Sequence, residues 1–322
     1  PAVQVLAGVF KEALEVMKMN QIMQNEAVVS VPGYLGQTER QSVIDAAKIA
    51  GLEITKLYNE SAANVMNYGI FRMNDLDPKN PRLVAFVDMG HSKTTVIFAN
   101  IWKDRAEIIK EVSDPNLGSR NLDIAMLDHY VAEFQAKHKV DLRESPKSCF
   151  RLLEAIEKQR KILTANPEAM LSVDCIYEDY DFNHMLKRDE FEQINKEFIA
   201  QFVNLMQNAI KELPADVAKT LQNVERVGGA TRIPFVERLI AQTFKVEQVS
   251  KTLDAGESVA RGCAIQAAML SPLFKVPPYS IPEKLVNPVS IKLQYDGEEE
   301  KKKDLFKEGC EYGKSLSIVI QK

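Results

Sequence analysis

The sequence predicts an α/β fold, and three observations lead to that prediction. Apolar β-type runs alternate with helical periodicity over residues 26–69, the order expected of parallel strands joined by crossover helices. The stretch LVAFVDMGHSKTTVIFAN (83–100) has two apolar runs around a short polar break, which is typical of a strand, a tight turn and a returning strand. NVERVGGATRIPFVERLIAQTF (223–244) predicts a strand, a glycine turn and a helix.

The first part of the chain contains the alternating elements. Apolar residues recur near a 3.6-residue period over residues 2–24, which predicts an amphipathic helix. In the second predicted helix, Thr38 and Gln41 fit a capping box and Gly51 fits the C-terminal stop. DLDPKNP (75–81) is dense in turn residues and indicates a boundary. The other predicted elements are strands at 26–32 and 53–60 and helices at 38–51 and 61–69, the last ending at Gly69.

The middle of the chain is mostly helical in pattern. Pro146 fits the first turn of one of these helices. Small residues on one face of a helix at 257–270 suit close packing against a sheet. The predicted elements are a third strand at 107–115, helices over 121–165, a strand pair at 171–182, one long helix at 188–213 and the final helix at 257–270.

The last fifty residues change character. SPLFKVPPYSIPEK (271–284) carries four prolines and cannot continue a helix, so we predict a linker. VSIKLQY (289–295) and SLSIVIQK (315–322) alternate strictly and predict antiparallel strands of a separate β-type domain. The charged run DGEEEKKKD (296–304) between them predicts a solvated hairpin loop.

Composition excludes several classes of function. The net charge is −4, which gives no electrostatic footprint for nucleic acid or an anionic membrane. No window approaches the ~20 apolar residues of a membrane span. Four widely spaced cysteines predict reduced, buried thiols and a cytoplasmic location. The four histidines lack metal-ligand spacing, so we expect no metal held by protein side chains alone.

Both ends of the chain look cut. The sequence has no initiator Met and no signal peptide, and SLSIVIQK (315–322) stops in mid-pattern. We therefore expect a fragment of a longer protein.

One carboxylate stands at the tip of the first strand of the 83–100 stretch. Asp88 is followed by Gly90, which allows a tight turn whose successive N–H groups form an anion-binding concavity. The carboxylate would hold Mg²⁺ through water, because Mg²⁺ usually keeps several waters. The alternative is a plain β-hairpin whose Asp caps the turn, and these residues alone leave both open. Ser92, Lys93 and Thr94 add donors beside the turn.

A second candidate element is VGGATRIP (227–234). Gly228 and Gly229 let the backbone approach a ligand, and Thr231 is a candidate N-cap for the helix that follows. Helix N-termini after glycine turns favour anionic ligands. The alternative is a helix entry without a ligand. Two glycine turns after strands, about 140 residues apart, could face each other across a cleft.

The third candidate element is EKQRKILT (157–164). Glu157, Arg160, Lys161 and Thr164 recur at i, i+3, i+4 and i+7 and so share one helix face. Such a polar stripe usually faces solvent, but it could also hydrogen-bond a ribose while a guanidinium plane stacks on adenine.

In this order the three elements resemble a known family. VVSVPGYLGQTERQSVIDAAKIAGLEITKLYNESAANVMNYG (28–69) resembles the ATPase domain of the seventy-kilodalton heat-shock chaperones, which has the actin-like fold. VDMGHSKT, LGSRNLD, EKQRKILT, VGGATRIP and ESVARGCAIQAAML follow in register over nearly the whole chain. The resemblance implies ATP or ADP and Mg²⁺ in a cleft between two lobes, and a β-sandwich peptide-binding domain after a linker.

The resemblance also implies roles for individual residues. Asp88 and Glu60 match the catalytic acids near Mg²⁺, and Pro32 and Arg40 match an interlobe relay. No residue is expected to bind the metal directly. The residues implied in nucleotide binding are Gly90, His91, Ser92, Gly118, Ser119, Glu157, Arg160, Lys161, Thr164, Gly228, Gly229, Ala230, Arg232 and Ile233.

The chain departs from the family pattern around the phosphates. Because hydrolysis needs the phosphate, Mg²⁺ and attacking water held in line, these changes should disturb hydrolysis more than binding. GHS in the loop and SPLFKV in the linker resemble the hundred-and-ten-kilodalton branch, which binds ATP, hydrolyses it poorly and holds unfolded polypeptides. The departures are His91, Ser92 and Ser119 for glycines, Lys93 for a threonine, Thr95 for an aspartate, Ala230 for a serine and Gly256 for an acid.

The resemblance leads to one main hypothesis and two alternatives. The main hypothesis is an ATP-clamped nucleotide exchange factor for a seventy-kilodalton heat-shock chaperone and a holdase for unfolded polypeptides, with no nucleic acid or membrane partner. The alternatives are an ordinary ATP-hydrolysing refolding chaperone and, more distantly, an actin-fold sugar kinase, which the β-type tail argues against. In isolation the chain is expected to bind ATP weakly and to be inactive, because the family's first phosphate loop would lie upstream.

The predicted domain organisation follows the same family. We predict an incomplete actin-like ATPase fold, made of the second part of lobe I and of lobe II, and then the start of an antiparallel β-sandwich. The boundaries are partial lobe I at 1–77, lobe II with the return helix at 78–270 including an upper subdomain at 118–196, a linker at 271–284 and the β-type domain at 285–322.

Overall fold

The computed structural model describes residues 1–285, 288–294, 300–307 and 309–317. Two units account for these residues. Unit 1 consists of residues 1–84, 98–111 and 257–322, and unit 2 of residues 85–97 and 112–256. The domain boundaries given above stay a prediction.

In unit 1, a parallel strand pair carries the N-terminal helices. Strand β1 pairs with β2, as predicted from the β-α-β-α order. Helix α10 packs against α3 and β1, and a Cβ at Gly262 would lie only 2.0 Å from the Ala63 carbonyl oxygen, so this crossing requires glycine. These elements are α1 (Ala2–Met19), β1 (Glu26–Val31), α2 (Gln37–Ala50), β2 (Glu53–Asn59), α3 (Glu60–Ile70) and α10 (Ser258–Leu270).

The predicted strand–turn–strand at 83–100 is present. Strands β3 (Arg82–Met89) and β4 (Thr94–Ile101) are buried almost throughout, as continuous apolar runs should be. With β5 (Ala106–Asp114) and β8 (Leu221–Val227) they form a sheet of order β5-β4-β3-β8.

Unit 2 contains several helices and a two-stranded hairpin. Helix α5 packs on the hairpin β6–β7, and α4 packs on α5. Pro146 is the first residue of α5, as predicted. The elements are α4 (Ser119–His138), α5 (Pro146–Leu163), β6 (Glu168–Tyr177), β7 (Tyr180–Lys187), α6 (Arg188–Ile194), α7 (Lys196–Lys211), α8 (Ala215–Ala218) and α9 (Pro234–Phe244).

Several local predictions are wrong. Helix α2 begins at Gln37 after Gly36, so Thr38 and Gln41 do not form a capping box. The long helix predicted at 188–213 is broken at Asn195, whose side-chain amide donates to the Phe191 carbonyl oxygen at 2.9 Å. Helix α3 continues one residue beyond the predicted Gly69 stop.

The C-terminal segment contacts the rest of unit 1. The Tyr279 ring is buried where Gly69 has no side chain, and its hydroxyl donates to the Trp102 carbonyl oxygen at 3.2 Å. Lys284 pairs with Glu107 at 2.6 Å. Residues 279–285, here called the strap, are therefore fixed to unit 1 by side chains.

The strap leads into a strand pair. Strand β9 (Val289–Leu293) pairs antiparallel with β10 (Lys301–Phe306). The prediction that 301–304 lie in a loop is wrong, because these four residues pair with strand β9. Residues 315–317 are not in a strand, and the rest of the strand predicted at 315–322 lies outside the described residues, as do 295–299.

Candidate functional site

The candidate site starts with the Asp88 loop (residues 88–93), which joins β3 to β4. The Gly90 amide donates to the Lys93 carbonyl oxygen at 3.0 Å, which closes a tight turn over His91 and Ser92. Asp88, one residue before the end of β3, is buried, and His91 is exposed. The loop therefore holds one carboxylate at the edge of the sheet.

The N-terminus of α4 holds this loop in place. The amides of Ser119 and Arg120 donate to the carbonyl oxygens of Gly90 and His91 at 3.0 and 2.9 Å. A Cβ at Gly118 would lie 2.4 Å from the His91 carbonyl oxygen, so only glycine fits. The first amides of α4 are thus used to position the loop. Gly118 and Ser119, predicted to contact nucleotide, act here on the loop itself.

The Gly228 turn (residues 228–232) contacts the same loop. Gly228 has φ +83°, and a Cβ there would lie 2.2 Å from the Met89 carbonyl oxygen and 2.8 Å from Asp88 Oδ1. Its amide donates to the Ala255 carbonyl oxygen at 2.8 Å. The two glycine turns, predicted to face each other across a cleft, are instead in direct contact within unit 2.

Thr231 stabilises this turn in a way the sequence did not indicate. Its hydroxyl donates to the Gly228 carbonyl oxygen at 2.7 Å, and the N-cap of α9 is Ile233. The prediction that Thr231 caps α9 is therefore wrong. Ala230 and Ile233 are buried, and Arg232 is exposed.

The Asp88 loop, Gly118 and the Gly228 turn together form what is here called the junction. One side of this junction is open. A Cβ at Gly90 or at Gly229 would meet no heavy atom of the described residues within 4 Å. Gly229 begins a short 3-10 helix, and the first amides of a helix have no partner inside it. The backbone beside Asp88 is thus pinned on one side by Gly118 and Gly228 and open at Gly90 and Gly229.

The predicted polar stripe on α5, here called the α5 face (Glu157, Arg160, Lys161 and Thr164), divides into a buried and an exposed part. The Arg160 guanidinium is buried and donates to both carboxylate oxygens of Asp123, at 2.6 and 3.0 Å. Glu157 and Lys161 form an exposed pair at 2.7 Å, and the Lys161 ammonium lowers the pKa of the Glu157 carboxyl. The Thr164 hydroxyl donates to the Lys161 carbonyl oxygen.

Sequence reasoning missed Asp123 as a site residue. It is the last residue of LGSRNLD (117–123), a motif whose glycine and serine were singled out while its acid was not. A buried, bidentate carboxylate fixes the guanidinium plane of Arg160, so that Asp123 sets the orientation of the α5 face.

Unit 1 carries the residues assigned to the relay. Arg40 donates to the carbonyl oxygens of Leu35 at 2.9 Å and Pro32 at 3.5 Å, and to Asn59 Oδ1 at 2.8 Å. Asn59 immediately precedes Glu60, the first residue of α3. The structure therefore joins Pro32 and Arg40 to the start of α3 through Asn59, which sequence reasoning also missed.

The strap reaches the same place. The backbone N–H of Asn59 donates to Glu283 Oε2 at 2.9 Å, and Glu283 pairs with Lys56 at 3.1 Å. Cys263 is close to Glu60, and burial raises the pKa of its thiol to about 11, with Glu60 as a further cause. Glu60 thus lies in a region of unit 1 where several charged and polar groups are held by specific partners.

The residues of unit 2 fit a phosphate group. The space beside Gly90 and Gly229 leaves room for phosphate oxygens, although the Gly90 N–H itself donates to the Lys93 carbonyl oxygen. Asp88 supplies a carboxylate of the kind that holds a hydrated Mg²⁺. No group of three or more His, Cys, Asp or Glu side chains that could hold a metal ion occurs in the described ranges. None of the helices in the described part of the chain is both long and apolar enough to cross a membrane.

The chain is similar to known proteins over nearly its whole length. A family model described as Hsp70 protein matches residues 2–308. The fold is thus the α/β fold of the actin-like ATPases, as predicted. The chain belongs to the Hsp70 family.

Individual relatives agree with this assignment. Heat shock 70 kDa protein 4L of Homo sapiens is 38% identical over 273 residues, which cover 84% of this chain and 32% of that protein. Heat shock protein 88 of Dictyostelium discoideum is 35% identical over 302 residues, 94% of this chain and 38% of that protein. Heat shock 70 kDa protein 16 of Arabidopsis thaliana is 34% identical over 257 residues, 80% of this chain and 33% of that protein.

These relatives belong to the large branch of the superfamily, so the resemblance stated from the sequence motifs is confirmed. The chain spans about a third of the length of the curated relatives it matches.

Proposed function

We propose that the chain is part of an ATP-binding chaperone and contributes unit 2 residues to its nucleotide site. The observation that carries this proposal is the packing of Gly228 against Asp88 and Met89, with Gly90 and Gly229 open beside it. Asp88 would hold Mg²⁺ through water, and the space beside Gly90 and Gly229 would receive the phosphates. Bound MgATP supplies a transferable phosphoryl group and negative charge at this place.

Other predicted residues keep their roles within this proposal, with the exception of Arg160. Glu60 is the second acid, Pro32 and Arg40 are the relay, and the α5 face contacts the nucleoside. Within the α5 face, the exposed groups Glu157, Lys161 and Thr164 are the ones that meet a ligand, while Arg160 positions the helix through Asp123.

We propose further that the protein binds ATP without efficient turnover. Thr95, which stands where the family has an aspartate, is buried, and its hydroxyl lies 3.0 Å from the Ser113 hydroxyl. This position therefore offers a hydroxyl pair instead of a negative charge. Hydrolysis needs carboxylates that align Mg²⁺ and water, so the exchange of charge for a neutral pair favours clamping over catalysis.

In this proposal the protein acts in the cytoplasm as nucleotide exchange factor for a seventy-kilodalton heat-shock chaperone and as holdase for unfolded polypeptides. The similarity to large-branch relatives supports it. The alternative is an ordinary ATP-hydrolysing refolding chaperone, and the retention of Asp88 at the end of β3 favours that alternative.

Release of fluorescent ADP separates the two functions. A seventy-kilodalton chaperone is loaded with labelled ADP, the full-length protein that contains this chain is added with excess ATP, and release is followed by stopped flow. We expect the full-length protein to accelerate release at least several-fold and to produce negligible phosphate itself. Turnover by the full-length protein without any acceleration of release would establish the alternative.

Nucleotide binding itself is tested by calorimetric titration of the chain with MgADP. We expect weak binding, with a Kd above the micromolar range. We expect this binding to be lost in Gly229→Val, whose side chain would fill the open side of the junction. Circular dichroism of the variant verifies the fold. Micromolar affinity would contradict the expected weakness, and unchanged binding by a folded Gly229→Val would contradict the phosphate position.

A further inference from the structure

His184, on the inner face of the β6–β7 hairpin, lies between two carboxylates from two different helices. Its Nδ1 is 3.0 Å from Glu133 Oε2 on α4, and its Nε2 is 3.3 Å from Glu190 Oε1 on α6. The His184 side chain is only 16% exposed, and the two glutamates are about 40% exposed. One imidazole ring thus stands between α4 and α6.

The surroundings of His184 contain few other groups that titrate near neutral pH. Tyr130 of α4 packs against the ring at 4.8 Å, and burial raises the pKa of its phenol, which therefore stays neutral. His129 of α4 meets the ring edge-on at 6.3 Å. Gln159 of α5 donates to the His184 carbonyl oxygen at 3.3 Å, which fixes the backbone. The charged groups that face His184 are accordingly Glu133, Glu190 and, when protonated, His129.

The number of protons on the ring decides how many carboxylates it can bind. A neutral imidazole has one N–H and one lone pair, so it donates to one carboxylate and turns a lone pair towards the other. An imidazolium donates from both nitrogens. Nε2 is buried and has no hydrogen-bond partner in the present geometry, and Glu190 Oε1 is the carboxylate oxygen that lies near it, at 3.3 Å.

We propose that His184 is a proton-dependent latch that ties α6 to α4. In the protonated state it donates to Glu133 and Glu190 together. As pH rises and the ring loses a proton, one of the two contacts is lost and α6 is held less firmly. Histidine is the side chain whose unperturbed charge change falls between about pH 5 and 8, and this general range sets the pH values to be compared.

Loss of the contact between His184 and α6 should also change the packing of residues outside the hairpin. Phe191, the residue after Glu190, packs against Phe235 at a ring distance of 5.8 Å. Phe235 lies in the first turn of α9, two residues after Ile233 and next to the Gly228 turn in the chain. The latch is therefore placed to alter the packing of the helix that follows the Gly228 turn. This inference does not depend on the proposed nucleotide function.

Hydrogen exchange of α6 tests the latch. Exchange of peptides covering 188–194 is measured at pH 6 and pH 8 and corrected for the intrinsic rate. Wild type should show about 3- to 10-fold greater protection at pH 6, the range expected from one hydrogen bond. His184→Gln should abolish this difference. His138→Gln is the matched control. His138 also lies between α4 and the β6–β7 hairpin, but its ring packs against Phe134 and Tyr180.

A second variant keeps the test decisive if His184→Gln does not fold. Glu190→Gln changes a partly exposed side chain and keeps its shape. It removes the negative charge that faces His184 Nε2. It should also lose the pH dependence of α6 exchange. Equal protection of wild type at both pH values, or a pH dependence that survives unchanged in Glu190→Gln, would overturn the proposal.

Discussion

The junction around Asp88 and the α5 face are both parts of unit 2, but they are built by different means. At the junction, Gly118 and Gly228 let backbone segments from distant parts of the chain touch. On the α5 face, one buried ion pair, Arg160 with Asp123, fixes the helix, and the exposed pair of Glu157 and Lys161 adds little. The junction depends on the absence of side chains, and the α5 face depends on one particular side chain.

This difference determines how each region should respond to mutation. A close backbone contact has no room for even one methyl group, so its failure is steric and does not depend on pH or salt. An ion pair responds to the loss of either partner, and the response is large only where the remaining charge is buried. The following variants test this contrast, from the largest expected effect to the smallest.

Gly228→Ala should have the largest effect. The new Cβ would meet the Met89 carbonyl oxygen, and a left-handed backbone disfavours any L side chain. We expect a loss of about 4 kcal/mol in the free energy of unfolding, from about 1–2 for the backbone and about 1–3 for overpacking. Urea denaturation followed by circular dichroism measures it.

Gly229→Ala is the matched control for this variant. Its Cβ would be free of contacts with the described residues, so we expect a change below about 1 kcal/mol. Similar losses in the two variants would show that the steric argument for the junction is wrong.

Arg160→Met should have the next largest effect. It leaves the buried carboxylate of Asp123 without its partner, which costs about 3 kcal/mol in comparable buried pairs. Lys161→Met, one position along the same helix, removes an exposed charge and should cost less than about 0.5 kcal/mol. The denaturation midpoints of the two variants give the comparison, and a Lys161 effect as large as that of Arg160 would contradict the division of the α5 face.

Glu157→Gln should have the smallest effect, and it should depend on pH. The hydrogen bond and the charge of Lys161 hold the pKa of the Glu157 carboxyl below its ordinary value. The contribution of this pair to stability is therefore present above that ordinary value and is lost as pH falls through the folded-state pKa. We expect wild type and variant to differ by about 0.3 kcal/mol at pH 7 and to coincide near pH 2. A difference that persists in strong acid would mean that Glu157 acts through packing and not through charge.

The same contrast explains how much of the molecule could be predicted. Gly228 was singled out from the sequence because few other residues permit such close approach, whereas Gly118 was named only through the family resemblance. Gly51 was likewise predicted correctly as the end of α2, where it adopts φ +81°. The partner of Arg160 was missed because Asp123 is 37 residues away, and nothing local to α5 indicates that pairing.

Errors in the predicted elements have the same origin. Asn195 breaks a continuous helical pattern because its side chain competes for the Phe191 carbonyl oxygen. Lys301–Lys303 extend into a strand because β9 lies beside them, although their charge favours a loop. Periodicity determines the type of long elements, whereas side-chain hydrogen bonds and neighbouring strands determine where they end.

The strap gives the protein an internal optical reporter. Trp102 is the single tryptophan of the chain, its indole N–H donates to the Lys79 carbonyl oxygen, and the Arg105 guanidinium lies 4.5 Å over its ring. Because the Tyr279 hydroxyl bonds to the Trp102 backbone, detachment of the strap should alter the emission of that one indole. A fluorometer can therefore follow the strap without any added dye, in the same cuvette in which nucleotide or polypeptide is titrated.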